Sequence, residues 1–370
     1  MSNGLTKNHS SSIQGLAILL MLYHHFFLNP QAVPGIFYGN ISATMHVAWF
    51  GKICVGLFCF VSGYGMYHVC THCSHNSLSR LLKEEYSACL IRIVKLFIRL
   101  WAVILIVKGF SFLFLGKPFD ITEFVLNMLT IRLTYNGSWW FIRLYVVMLL
   151  ALPFLDLFFT SLPVRKERTI KWLLLSALSA LVIGLFCYGT FHSPESRYIL
   201  YLIKSSLPPV FLLIFAIGYL FARFAIHEKL LHHLNRLSDR IILPSALLCL
   251  SGTILLRVLL TKDASFATLD FLFVPLFIFG MIPLINHCKP LSDILIFFGK
   301  ISTYLWLVHV LIYDVTVDLF AEWFAPYGGM PSTAFYLAQL FLSGMIALLF
   351  TTAEAAFSRG VFSKKPHKQA

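Results

Sequence analysis

Ten apolar runs, each near the length a helix needs to cross a bilayer, follow one another in this sequence with only short polar segments between them. A helix rises about 1.5 Å per residue, so roughly 20 apolar residues span the hydrocarbon layer. The runs are Ile13 to Leu28, Val47 to Val69, Ile93 to Leu115, Ser138 to Thr160, Trp172 to Thr190, Ile199 to Phe224, Ile241 to Leu260, Ala267 to Asn286, Leu291 to Tyr313 and Thr333 to Ala353. Water is a poor solvent for such a surface. Hydrophobic residues make up 58% of the chain and charged ones 12%, where a soluble domain carries roughly a quarter charged. The mean hydropathy is +0.80. The expectation is an all-α integral membrane protein, a polytopic bundle of about ten transmembrane helices. It forms a single domain over residues 1–370 with short cytoplasmic tails at about 1–12 and 355–370. The stretch Phe119 to Tyr135 is weakly apolar and holds Asp120, Glu123 and Arg132, so it reads as an external or re-entrant segment. No internal repeat and no long hydrophilic linker are evident.

The net charge of +13 would suggest nucleic acid in a soluble protein. Here Lys and Arg cluster in the segments between apolar runs, which is a topology signal, and no nucleic acid is expected. With the N-terminus in the cytoplasm, alternate segments place 19 Lys and Arg inside, among them Arg80, Lys83, Arg165, Lys166 and Arg168. Only 4 lie outside: Lys117, Arg132, Arg197 and Lys262. The positive-inside rule then predicts a multi-pass chain with both termini cytoplasmic. The first run lacks a small-residue cleavage site and is expected to stay as a helix. Eight Cys lie mostly inside or beside apolar runs and read as small buried hydrophobes. His68, Cys70, His72, Cys73 and His75 crowd one predicted cytoplasmic turn. These are zinc-ligand residue types, but no second Cys pair matches them and no metal is expected.

Ionisable side chains inside spans are costly, so each is a candidate site. The first helix carries Gln14, His24 and His25. Eleven residues at 100° each return to within about 20° of the start, so Gln14 and His25 share a face about 16 Å apart, while His24 points elsewhere. A neutral imidazole can be a general base or nucleophile near pH 7, or a hydrogen-bonded member of the bundle. The segment Gly56-Leu-Phe-Cys-Phe-Val-Ser62-Gly63-Tyr64-Gly65 lets helix backbones approach and offers the Ser62 hydroxyl. Arg92, Lys95 and Arg99 fall on one helix face at a membrane boundary, either as a phosphate-binding stripe or as a topogenic cluster. Arg143 follows Trp139-Trp140-Phe141 and lies about one turn into its run. It can face a sugar or carboxylate, or snorkel to the outer headgroups. Ser302 and His309 share a face, with His309 either a polar wall or a structural residue. Lys52, Lys204, Arg257 and Asp270 belong to no motif.

These segments, in this order, resemble acyltransferase family 3, the membrane-bound O-acyltransferases of bacterial surface glycans. In that family a basic residue precedes an essential His by eleven positions. His25 matches the His, and Gln14 stands where the basic residue is usual. The Ser62-Gly63-Tyr64 segment is similar to the family's Phe-rich Ser-Gly-Tyr, and Arg92-x-x-Lys95 to its Arg-x-x-Arg, with Arg99 where Pro is common. Trp140-Phe141 resembles the Trp-Phe pair that opens a later helix. Gly299 to His309 resembles the late Gly-x-x-Ser-Tyr segment ending in a His. The resemblance covers most of the chain. It implies that an acetyl group passes from acetyl-CoA, used from the cytoplasmic side, to a hydroxyl of a cell-surface polysaccharide or its lipid-linked precursor. It also implies His25 as base or transient acyl carrier and Arg92 and Lys95 on the CoA phosphates, with Ser62, Arg143 and His309 near the substrates. The implied partners are the lipid bilayer, acyl-CoA and the glycan. Two rivals stand beside it. One is a transporter or flippase of a polar lipid-linked compound, against which the lack of an inverted repeat weighs. The other is a noncatalytic relative, suggested by Gln14 and Arg99.

Overall fold

The computed structural model describes residues 5–27, 41–70, 78–116, 119–160, 209–234, 238–260, 269–327 and 331–362. Among these residues the chain is helical almost throughout and contains no strand. The helices are α1 (Lys7–Phe27), α2 (Ile41–Gly51), α3 (Ile53–Cys70), α4 (Leu78–Leu115), α5 (Ile121–Met128) and α6 (Trp140–Thr160, opened by a 3-10 turn at Gly137–Trp139). They continue with α7 (Pro209–Arg223), α8 (Ile226–Leu234), α9 (Asp239–Leu260), α10 (Asp270–His287), α11 (Lys289–Phe324) and α12 (Ser332–Phe362). Among the described residues, six stretches are long and apolar enough to cross a membrane: Thr44–Cys70, Gly137–Asp156, Arg240–Leu260, Asp270–His287, Lys289–Tyr327 and Thr333–Arg359. The run expected at Trp172 to Thr190, and the start of the one at Ile199 to Phe224, lie outside the described residues. The chain is a multi-pass helical membrane protein. Its outward faces fit lipid: Leu248 of α9 is 74% exposed and Leu349 of α12 is 66% exposed, as expected where the surrounding solvent is hydrocarbon.

The segment Phe119 to Tyr135 folds as the eight-residue α5 and a turn. Asp120 starts the helix, its carboxylate accepting from the N–H groups of Thr122 and Glu123 at 2.7 and 3.2 Å. Eight residues rise only about 12 Å, too little to span. Asn127 then ties helix to turn, donating to Thr134 Oγ1 at 2.8 Å and accepting from the Tyr135 N–H at 3.1 Å.

Apolar side chains gain little by leaving lipid for protein, so close backbone approach has to hold the bundle together. Glycines supply it at two crossings. A Cβ on Gly15 of α1 would sit 1.8 Å from the Leu295 carbonyl oxygen of α11, and one on Gly299 would sit 2.0 Å from that of Ser11. The α3 and α7 crossing repeats the device, with Gly63 against the Phe215 carbonyl at 2.0 Å and Gly218 against that of Phe60 at 2.1 Å. Arg257 and Asp270 form a third fastening. The Arg257 guanidinium donates to both Asp270 oxygens at 2.7 and 3.1 Å and to the carbonyls of Trp49 and Phe50 at 3.2 and 3.0 Å. Those carbonyls end α2, where a helix leaves acceptors unfilled. Two residues that belong to no sequence motif thus join α9, α10 and the break between α2 and α3.

Candidate active site

A cavity of about 240 Å³ opens between α1, α3, α4, α6 and α11, and its wall carries Gln14, His25, Ser62, Arg92, Lys95 and Arg99. Residues from three separate stretches of sequence therefore meet there. Ser138, Trp140, Phe141, Tyr145, Ser302, Thr303 and Trp306 complete its polar and aromatic lining.

The two neighbouring histidines of α1 face different surroundings. His24 is 8% exposed, and its Nδ1 lies 2.7 Å from the Ala48 carbonyl, so it fastens α1 to α2. His25 lines the cavity. Behind it stands His309, fully buried, with ring centroids 5.1 Å apart. The Nδ1 of His309 lies 2.8 Å from the Trp306 carbonyl and 3.2 Å from that of Leu305. Two acceptors at one nitrogen assign it the proton, leaving Nε2 as a lone-pair acceptor, and no hydrogen bond in the structure fills it. His309 thus packs against His25 and is not among the cavity-lining side chains.

The three cations of α4 are not equivalent. Arg99 donates from Nε and Nη2 to both oxygens of Glu354 on α12, at 2.9 to 3.1 Å, and its Cζ lies 5.9 Å from the Tyr304 ring. This fork-to-fork pairing neutralises it. Arg92 donates to the Ala88 carbonyl one turn back at 3.1 Å. Neither Arg92 nor Lys95 pairs with a carboxylate among the described residues. Arg99 lies beside Tyr304, five residues before His309, and Arg92 lies two turns of α4 further back. At 1.5 Å per residue, Arg92 and the histidine pair are roughly 18 Å apart along the bundle.

The opposite end of the cavity is built by the turn into α6. Asn136 Oδ1 accepts from the Ser138 N–H and hydroxyl at 2.8 and 2.6 Å, and Trp139 Nε1 donates to the Leu307 carbonyl at 3.3 Å. Arg143, outside the cavity lining, donates to the carbonyls of Thr130 and Ile131 at 2.6 and 2.8 Å. These hold the turn where Thr130 adopts φ 55°, a left-handed conformation uncommon for a residue other than glycine. Ser302 turns its hydroxyl back to the Gly299 carbonyl at 2.8 Å. Asn136 and Trp306 join the site from inside segments that resemble the family, though neither is singled out there, and Glu354 joins it from outside any sequence motif. Only Glu354 gave a signal, as an acid just past the end of the last apolar run.

The fold and cavity define a class: a polytopic helical membrane protein with a polar chamber that joins a histidine to uncompensated cations. Residues 12–353 match acyltransferase family 3, described as an acyltransferase domain, and the chain belongs to that family. It is a membrane acyltransferase. No curated protein and no solved structure matches the chain.

Proposed function

We propose that this protein is an O-acetyltransferase of the bacterial cytoplasmic membrane, with ten spans and both termini cytoplasmic. It takes acetyl from acetyl-CoA and places it on a hydroxyl of a cell-surface polysaccharide or its lipid-linked precursor. The observation that carries the proposal is the convergence of His25, Arg92 and Lys95 on one cavity. Two unpaired cations suit the phosphates of CoA, and a histidine at the far end of the cavity suits its thioester.

The chemistry needs one proton relay. In direct transfer a ring nitrogen of His25 takes the proton of the acceptor hydroxyl while its oxygen attacks the thioester carbonyl. The C–S bond then breaks, and the departing thiolate recovers that proton from the imidazolium. In the two-step route the ring nitrogen attacks the thioester carbonyl first, the C–S bond breaks and CoA leaves as its thiolate; the acceptor oxygen then attacks the acyl-imidazole, the C–N bond breaks, and the hydroxyl proton passes to the thiolate. In either route the buried His309 ring, 5.1 Å from that of His25 between centroids, backs His25 from behind and limits where its imidazole can turn.

The test is transfer of labelled acetyl from acetyl-CoA to surface glycan, in wild type and His25→Ala at equal membrane abundance. The variant is expected to lose about 10² to 10⁴ in rate. Undiminished acetylation in His25→Ala would overturn the proposal, and movement of a lipid-linked compound without acetylation would favour a flippase.

A further inference from the structure

Three helix ends that acyl transfer does not use meet where α1 begins, an end marked by the Leu5 N–H donating to the Tyr64 hydroxyl at 3.2 Å. Cys70 closes α3, Glu85 lies near the start of α4 and Asp156 near the end of α6. One ligand atom from each, a sulfur and two carboxylate oxygens, lies within 4.8 Å of the other two. All three residues are at most 2% exposed. Asp156 has neighbours that suit its charge: the Tyr219 hydroxyl donates to it, and an Arg223 nitrogen lies 3.9 Å away. Glu85 has none. Among the described residues neither of its oxygens meets a donor in hydrogen-bond geometry, and the groups facing it are the Asp156 carboxylate and the Cys70 thiol. Two carboxylates this close do not both ionise unless a positive charge joins them.

We infer that Cys70, Glu85 and Asp156 form a zinc site that pins α3, α4 and α6 together. Ligand charge suits a divalent ion: a thiolate and two carboxylates whose ligand atoms lie within 4.8 Å of one another favour a dication over a monovalent one. Ligand type supports zinc, because calcium and magnesium prefer all-oxygen shells while copper(I) prefers sulfur and nitrogen. Zinc bonds of about 2.0 to 2.3 Å draw such ligands to roughly 3.5 Å from one another, a closure that side-chain rotation supplies, with water as fourth ligand. The site differs from the local His/Cys run, since only Cys70 belongs to it and its partners come from other helices. Glu85 and Arg92 are two turns apart on one face of α4, so a metal held at Glu85 fixes the register of the helix that carries the cavity cations.

The test uses the full chain in detergent. After incubation with zinc and gel filtration, metal analysis is expected to give about one zinc per chain. The near-isosteric Glu85→Gln/Asp156→Asn double variant should lose it by about tenfold or more, while Cys54→Ser keeps it. Cobalt(II) in place of zinc should give thiolate-to-metal charge-transfer absorption in the unmutated chain, a readout that needs no variant to fold, and Cys70→Ser should abolish it. A zinc-free wild type with no cobalt–thiolate band would assign the cluster to a proton shared by two carboxyl groups and overturn the inference. Zinc that survives in the double variant and leaves when His72, Cys73 and His75 are replaced would also overturn it.

Discussion

His24 and His25 are consecutive and hence 100° apart around α1, and their replacement should separate them further. His25→Ala is expected to lose nearly all acetyl transfer. His24→Ala gives up the contact with the Ala48 carbonyl, about 1 kcal/mol of stability, and an edge-on ring contact with His25 at 5.3 Å, but no cavity-lining group, and should keep a substantial share of activity. Surface acetyl content at matched abundance reads both. Arg92→Gln and Lys95→Gln should each raise the KM for acetyl-CoA about tenfold or more, the scale of a lost charge-assisted contact, with little change in protein level. Parallel loss of folded protein and activity would return both residues to a topogenic role. The 100° step made the shared face of Gln14 and His25 legible from sequence alone. Spacing could not decide between the alternatives for Arg143, because its acceptors are backbone carbonyls, whose positions no side-chain pattern records. His309 was ambiguous for a related reason: the carbonyls that hold its Nδ1 belong to its own helix.

At the level of elements, the segment Ser62-Gly63-Tyr64-Gly65 contains one glycine the packing requires and one it does not. A Cβ at position 63 meets the Phe215 carbonyl at 2.0 Å, whereas one at position 65 meets nothing within 4 Å. Gly63→Ala should therefore push α3 from α7 at a cost of about 1 to 3 kcal/mol, lowering thermal stability in detergent, while Gly65→Ala should be neutral. Equal melting temperatures for the two would contradict this reading of the crossing. Arg257→Met leaves the Asp270 carboxylate buried without its partner and should cost about 3 to 5 kcal/mol, visible as reduced membrane abundance. Small residues in an apolar run signal a close approach, and the sequence carried that signal. Which helix approaches, and where Arg257 finds its acid and its carbonyls, depends on contacts between distant stretches. The weakly apolar segment before α6 was legible as non-spanning because its charges and its length argue the same way.

Over the whole molecule, the direction of successive described helices offers a check on topology. Trp140 of α6 packs beside Phe211 of α7 at 5.9 Å between ring centroids, and further along Tyr219 bonds Asp156, so α6 and α7 run the same way. The proposed ten-span arrangement places one crossing between them, at Trp172 to Thr190, which lies outside the described residues. A reporter fused after Ala370 should read out as cytoplasmic, and an external readout would refute the topology drawn from the Lys and Arg bias. The roughly 18 Å between Arg92 and the histidine pair has a further meaning. On the proposed roles of Arg92, Lys95 and His25, anchoring and reaction fall at opposite ends of the chamber, and the enzyme would work as a caliper, accepting donors by reach as well as by reactivity. Acetyl phosphate, whose phosphate is bonded directly to its acetyl group, cannot touch both jaws, and it should fail as a donor even at concentrations where its intrinsic reactivity exceeds that of the thioester.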